Sequence, residues 1–181
     1  MISLYECFKS IKDPRGKQGK RYPMSAFLTM ITLAYMSGHY SMKGVERYFK
    51  NNEMALKEIF GLEHGVPCFA KIRTFLMELD FEELNDTFMN WSQSYLNNES
   101  KEWLAIDGKS LGSTLKDYYS ANQTFQSMVG AFMSKSGINI GYAKFDNGKK
   151  SEAVEVRELI AKLEQNKFMI TLDALHCEKK L

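Results

Sequence analysis

The chain has 181 residues, of which 44% are hydrophobic and 25% charged, and its net charge is +2. This is the composition of an ordinary soluble globular protein, long enough for one domain with an appendage or for two small domains. The nearly balanced charge excludes a polyanion binder that works by bulk charge, so any contact with nucleic acid must come from local basic patches.

The cysteine content and the absence of a targeting pattern indicate an intracellular protein. Cys7, Cys68 and Cys177 are an odd number of thiols without close pairing, which favours reduced cysteines. No N-terminal stretch has the parts of a signal peptide. The apolar run from Ala26 to Met36 is interrupted by threonines and is too short to span a bilayer. We therefore expect a cytoplasmic protein.

The first half of the sequence has helical periodicity. Apolar spacing predicts helices over Met24–Ser37, Ser41–Lys50, Met54–Phe60, Cys68–Leu79 and Phe81–Tyr95. Ser41 is a good N-cap, and glycines at positions 38 and 61 end two of these helices. A polar stretch over residues 97–101 then predicts a boundary, with a helical domain at 1–98 and a second domain at 99–181.

After this boundary the periodicity changes to that of strands. The sequence predicts strands over Trp103–Asp107, Phe125–Met133, Ile138–Phe145 and Phe168–Asp173, with a helix over Ser151–Gln165 before the last one. The four residues 134–137 predict a β-hairpin turn. The fold class is therefore α+β, and this order of elements matches the first part of a ribonuclease-H-like fold. In that fold the first strand is central and the strand after the helix runs parallel beside it.

Two apolar runs each end in an aspartate, Asp107 and Asp173. Two carboxylates at the ends of neighbouring strands repel each other unless a cation lies between them. Such a pair is the beginning of a Mg²⁺ site for phosphodiester chemistry. The alternative is that both aspartates only begin turns or cap helices, as aspartates often do.

Basic residues in the helical half are candidates for contacts with DNA phosphates, which would give salt-sensitive affinity. The first group lies before the first long helix and consists of Lys12, Arg15, Lys17, Lys20 and Arg21. The second, Lys71 and Arg73, lies on a helix that is compatible with a helix-turn-helix recognition element. The alternatives are a solvated basic loop for the first group and a purely structural core helix for the second.

Other chemistries have less support in the sequence. No glycine-rich phosphate loop is present, and the three histidines, His39, His64 and His176, lie far apart. Together with the absence of a Cys-x-x-Cys motif, this argues against a structural zinc site.

A set of short motifs allows a more specific interpretation of the sequence. In chain order they are Asp13-Pro14-Arg15, Lys20-Arg21-Tyr22-Pro23, Gly65-Val66-Pro67, the segment 105–111 around Asp107-Gly108-Lys109, Lys150-Ser151, and the segment 171–177 around Asp173. Together they resemble the DDE transposases of bacterial insertion sequences, in the H-repeat-associated (ISAs-type) branch. The resemblance covers essentially the whole chain, and the two aspartate motifs are its most specific part.

This resemblance implies metal-dependent cleavage and transfer of DNA strands at transposon ends. In such enzymes two aspartates and a later glutamate hold two Mg²⁺ ions. By position, Asp107 is the first acid and Asp173 the second, and Lys109 is a charge partner for a phosphate. His176 either contacts DNA or orients a water, the alternative being a purely structural hydrogen bond. The implied partners are DNA and, in addition, a second copy or a full-length transposase, without a membrane.

The sequence also departs from the family pattern. Gly112 stands where the family usually has an arginine, and Glu152-Ala153 stands where it usually has an asparagine-glutamate pair. The third acid, expected on a helix well beyond Asp173, is not found. We therefore expect a C-terminally truncated transposase that binds Mg²⁺ weakly, is inactive alone and associates through the exposed Phe168–Asp173 edge. The alternative is a non-catalytic DNA-binding transposase fragment or remnant.

Overall fold

The structure is a computed structural model that describes residues 3–16, 20–95, 102–116, 119, 123–149, 151–163 and 168–173. The chain divides into two compact units, Met1–Trp91 and Ser92–Leu181. The division lies seven residues before the boundary predicted from the polar stretch. The two units are described separately below.

The helical part of the chain contains six helices within the described ranges. They are α1 (Leu4–Phe8), α2 (Met24–Met36), α3 (Met42–Asn51), α4 (Glu53–Phe60), α5 (Phe69–Glu78) and α6 (Phe81–Gln93). The five predicted helices are confirmed with bounds shifted by one or two residues at most ends. Helix α1 was not predicted, because five residues are too few to establish a helical period.

Local signals fix the ends of these helices. The Ser41 hydroxyl accepts a hydrogen bond from the Gly44 amide at 3.0 Å, which caps α3. Gly61 ends α4 in the left-handed conformation at φ 62°, which glycine adopts without a steric penalty. At the start of α5 the Glu46 carboxylate accepts a hydrogen bond from the Phe69 amide at 3.0 Å. None of the helices in the described ranges is long and apolar enough to cross a membrane.

Helix α2 lies at the centre of the core of this unit. Eight of its residues are buried, including Phe27 and Met30, so it has almost no polar face. Phe27 stacks on Phe75 of α5 with ring centroids 4.2 Å apart, and both side chains are 1% exposed or less. Burial of these large aromatic side chains is the main source of stability of the helical unit.

The second unit is a mixed four-stranded sheet with one helix. Its elements are β1 (Glu102–Lys116), β2 (Thr124–Met133), β3 (Ile138–Asp146), α7 (Glu152–Lys162) and β4 (Phe168–Thr171). The strand order is β3-β2-β1-β4, and only the β1–β4 pair is parallel. The predicted hairpin and the parallel placement of β4 beside β1 are confirmed. The chain is therefore of the α+β class.

The first strand differs from its predicted length. The sequence predicted an end at Asp107, but β2 continues to pair with β1 as far as Leu111 and again at Lys116. Asp107 therefore lies inside β1, because the partner strand supplies ladder hydrogen bonds beyond the apolar run. Asp173 does follow its strand, two residues after the end of β4.

The sheet has two different faces. Helix α7 packs against β3 and β2, and the face on this side carries buried residues such as Ile106 and Val129. Side chains alternate between faces along a strand. The opposite face therefore carries Trp103, Phe132 and Met169, which are 52%, 43% and 37% exposed. We call the face that carries these three residues the outer face.

Candidate functional site

Asp107 lies within β1, and Asp173 follows β4, the strand that pairs in parallel with β1. In the parallel β1–β4 pair Glu102 lies opposite Phe168 and Ala105 opposite Thr171, so partners are 66 positions apart in the sequence. Asp107 and Asp173 are also 66 positions apart. The observed ladder ends at Ala105 and Thr171, and its register extended by two residues would set Asp173 opposite Asp107.

Both acids belong to the outer face. Asp107 has the same parity as Trp103 in a part of β1 that pairs regularly with β2, and Asp173 has the parity of Met169. Both residues are exposed. Neighbouring strands are about 4.8 Å apart, so two carboxylates at this position repel each other in the absence of a cation. Carboxylate oxygens are also the ligands that Mg²⁺ prefers.

Lys109 lies on the outer face two residues beyond Asp107 and is exposed. Two residues along a strand correspond to about 6.6 Å. An ammonium group at this distance can approach a phosphate bound near the acids without neutralising them directly. His176 lies outside the described residues, and its role stays a prediction.

Glu152 occupies a position that the sequence did not predict. Its carboxylate lies so close to the Gly108 backbone that a Cβ atom on residue 108 would overlap it. Gly108 has the parity of Ile106, so this contact lies on the face covered by α7 and not on the face of Asp107. Within the described ranges, no group of three or more His, Cys, Asp or Glu residues is arranged to hold a metal ion.

Arg15, predicted to contact DNA, is part of the framework of the helical unit. Its guanidinium donates to Asp13 at 2.8 and 2.9 Å and to the Tyr22 carbonyl at 2.8 Å. It also lies over the Phe75 ring at 5.2 Å from the centroid. The Arg15 side chain is only 7% exposed. Arg15 therefore holds the loop before α2 in place, and we leave it out of the candidate DNA surface.

The other basic residues before α2 are differently placed. Lys12, Lys20 and Arg21 are exposed, whereas Lys17 lies outside the described residues. Lys20 and Arg21 line a cleft of about 490 Å³ together with His64 and Glu63. This cleft places two cationic side chains beside the α4–α5 connection, which the sequence did not predict.

Helix α5 has a buried side, as expected for a core helix, and an exposed basic side, as expected for a helix that contacts DNA. Ile72 and Phe75 are buried in the core, whereas Lys71 and Arg73 are exposed. The connection from α4 to α5 runs over residues 61–68, which is longer than the three- or four-residue turn of a helix-turn-helix motif. The α4–α5 connection therefore does not form a short-turn motif, whereas the basic residues of α5 lie on its exposed side.

Comparisons with known proteins show which proteins this chain is similar to. Residues 5–92 match the family model described as DDE_Tnp_1-associated. The chain is 26% identical over 180 residues to the "H repeat-associated putative transposase YhhI" of Escherichia coli K12, covering 98% of this chain and 46% of that protein. It is 26% identical to "Putative protein YbfL" of the same strain with the same coverage, and 25% identical over 178 residues to "H repeat-associated putative transposase YbfD", covering 69% of that protein.

The similarity extends over both units of the chain. The chain spans just under half the length of YbfL and YhhI, and the family model coincides with the helical unit almost completely. Two of these three relatives, YhhI and YbfD, carry the H repeat-associated name of the family that the motifs resemble. The match of residues 5–92 to the DDE_Tnp_1-associated model and the similarity to H repeat-associated putative transposases together support a relationship to the DDE transposases.

Proposed function

We propose that this chain carries the first two metal-binding carboxylates of a DDE-type DNA transposase, which cleaves and transfers DNA strands at insertion-sequence ends in the bacterial cytoplasm. The observation that carries the proposal is the parallel β1–β4 ladder, whose partners are 66 positions apart, the same separation as that of Asp107 and Asp173. The central β1, the adjoining hairpin and the parallel β4 support a ribonuclease-H-like arrangement of this unit.

The donor set suits Mg²⁺. This ion is usually held by one or two carboxylates together with substrate phosphates and water, and Asp107 and Asp173 supply two carboxylates on one face. Asp107 and Asp173 would hold the ion, which would supply activation of a water or a 3′-hydroxyl and stabilisation of the leaving oxygen. The Lys109 ammonium would offer a positive charge to a phosphate of the DNA.

A third acid is needed for the complete reaction. Glu152 lies on the covered face, against Gly108, and no other acid joins the pair within the described residues. We therefore expect weak metal binding and no strand transfer by the chain alone. Because YhhI is more than twice as long as the matched region, strand transfer is proposed for an assembly or a longer polypeptide that supplies the missing acid, such as a second copy or a full-length transposase.

The helical unit is proposed to hold DNA. The exposed basic residues proposed for this contact are Lys12, Lys20 and Arg21 before α2, with Lys71 and Arg73 on α5. Each phosphate contact of this kind contributes affinity that falls with salt concentration and carries no sequence preference. The alternative function, a DNA-binding protein without catalysis, depends on this unit alone.

The test is metal binding measured by calorimetry on the full chain, with and without a short DNA duplex. Asp107→Asn and Asp173→Asn replace each acid by a neutral group of the same shape, and Asp86→Asn on α6 serves as an exposed control. We expect Mn²⁺ or Mg²⁺ binding in the parent and in the control, and its loss in both site variants. A parent chain that binds no metal even with DNA would leave only the non-catalytic DNA-binding function.

A further inference from the structure

The outer face carries a second row of residues beside the acids, and this row is basic. Lys109 on β1 pairs with Met128 on β2, and Met128 pairs with Lys144 on β3. Directly paired residues project to the same face of a sheet. Lys109 and Lys144 therefore lie on the outer face on either side of Met128, and both are exposed.

The neighbouring row connects the acids to β3. Asp107 pairs with Gly130, and Gly130 pairs with Tyr142. A Cβ atom on Gly130 would lie 3.2 Å from the Tyr142 ring, so the ring lies across β2 in the space that a side chain at position 130 would fill. The row that begins with Asp173 and Asp107 thus continues as a flat, aromatic surface towards β3.

The spacing of the two rows suits a DNA backbone. The rows are two residues, or about 6.6 Å, apart along the strands, and Lys109 and Lys144 are two strands, or about 9.6 Å, apart across the sheet. A phosphate above Met128 would lie between the two lysine side chains, while its neighbour along the backbone would lie near the carboxylates. The part of the outer face around Trp103 and Phe132 is apolar.

We propose that Lys144 and Lys109 together bind a phosphate of the DNA backbone, so that the DNA strand leaves the two acids across the outer face in the direction of β3. We call these two residues the lysine pair. The proposal rests on the proposed function for the position of the DNA, but the lysine pair itself needs no bound metal. Lys144 is a binding residue that the family motifs did not indicate.

The test is the salt dependence of DNA binding in a metal chelator. A fluorescent DNA duplex is titrated with the full chain at several KCl concentrations, and log K is plotted against log salt concentration. Loss of one phosphate contact lowers the steepness of this plot by about 0.9 for duplex DNA. We expect this change in Lys144→Ala, the same change in Lys109→Ala, and the parent slope in Lys144→Arg.

Two controls make the result specific. Lys162→Ala removes an exposed lysine from α7, on the opposite side of the sheet, and is expected to keep the parent slope. Repeating the series with Asp107→Asn and Asp173→Asn combined removes the repulsion of the acids and makes the outcome independent of the metal site. If the parent binds DNA and Lys144→Ala keeps its slope in both backgrounds, the lysine pair is refuted while the metal site stands. If the parent binds no DNA at all, the proposed DNA-binding function fails as well.

Discussion

Replacement of Arg15 tests whether the Asp-Pro-Arg motif is a framework element or a DNA contact. Arg15→Ala removes three charge-assisted hydrogen bonds, two to Asp13 and one to the Tyr22 carbonyl. A hydrogen bond to a charged group contributes about 1.5–3 kcal/mol, and loss of one partner of a buried ion pair costs about 3–5 kcal/mol. The Asp13 side chain is 19% exposed and can regain some hydration. We therefore expect the free energy of unfolding to fall by an amount near the lower end of this last range, about 3 kcal/mol.

The assay is urea unfolding of the full chain followed by the circular dichroism of the helices. For a unit of this size about 1 kcal/mol corresponds to 4–8 °C in Tm, so Arg15→Ala should also melt at least about 10 °C earlier. Arg15→Lys keeps the charge but not the bidentate geometry, so its stability should lie between that of the parent and that of Arg15→Ala. Arg73→Ala, an exposed arginine on α5, is the matched control and should change stability by less than about 0.5 kcal/mol.

The acid dependence of stability provides a second readout of the same contact. Arg15 lowers the pKa of Asp13 below its ordinary value of 3.8, chiefly through the side-chain hydrogen bond. Because the folded pKa is the lower one, this stabilisation is present above the ordinary pKa and is lost as the pH falls through the folded value. Arg15→Ala should remove this part of the acid dependence. Unchanged stability together with weaker DNA binding in Arg15→Ala would refute the framework role.

Two further predictions concern the same unit. The Phe69 amide, which donates to Glu46, holds the pKa of that carboxyl below its ordinary value of 4.5. Stability from this contact is present above that value and is lost as the pH falls through the folded pKa. Glu46→Gln should therefore flatten the decline of the urea midpoint on acidification, whereas the exposed control Glu58→Gln should leave this decline unchanged. Phe27→Ala removes a ring that is 1% exposed and stacked on Phe75, and denaturant unfolding should show a loss of about 3–5 kcal/mol; a loss below about 1 kcal/mol would mean that the α2 core is not the main source of stability.

Sequence reasoning predicted the elements of both units well, because their signals are local. Ser41 and Gly61 marked helix ends through capping chemistry that depends on a few neighbouring residues. The apolar runs before Asp107 and Asp173 predicted two strands, and the match of the element order to a ribonuclease-H-like fold predicted their parallel pairing. Asp107 and Asp173 are as many positions apart in the sequence as the paired residues of β1 and β4. This agreement became visible only once the register of the ladder was known.

What the sequence could not supply depends on contacts between distant segments. The continuation of β1 beyond Asp107 is decided by its pairing with β2 and not by the composition of β1 itself. The burial of Arg15 follows from its position over Phe75, sixty residues later in the chain. The approach of Glu152 to Gly108 likewise joins a helix start to a strand interior, and a glycine in a strand was the only local sign of it.

The β1–β4 ladder is the shortest in the sheet, with four pairs from Glu102–Phe168 to Ala105–Thr171. A slip of β4 by a single residue would turn Asp173 to the α7 side, because side chains alternate between faces. Insertions and deletions in the course of evolution should therefore be tolerated in the connections between the elements but excluded from Phe168 to Asp173. The alignment of this six-residue stretch with β1 sets the distance between the carboxylates of Asp107 and Asp173.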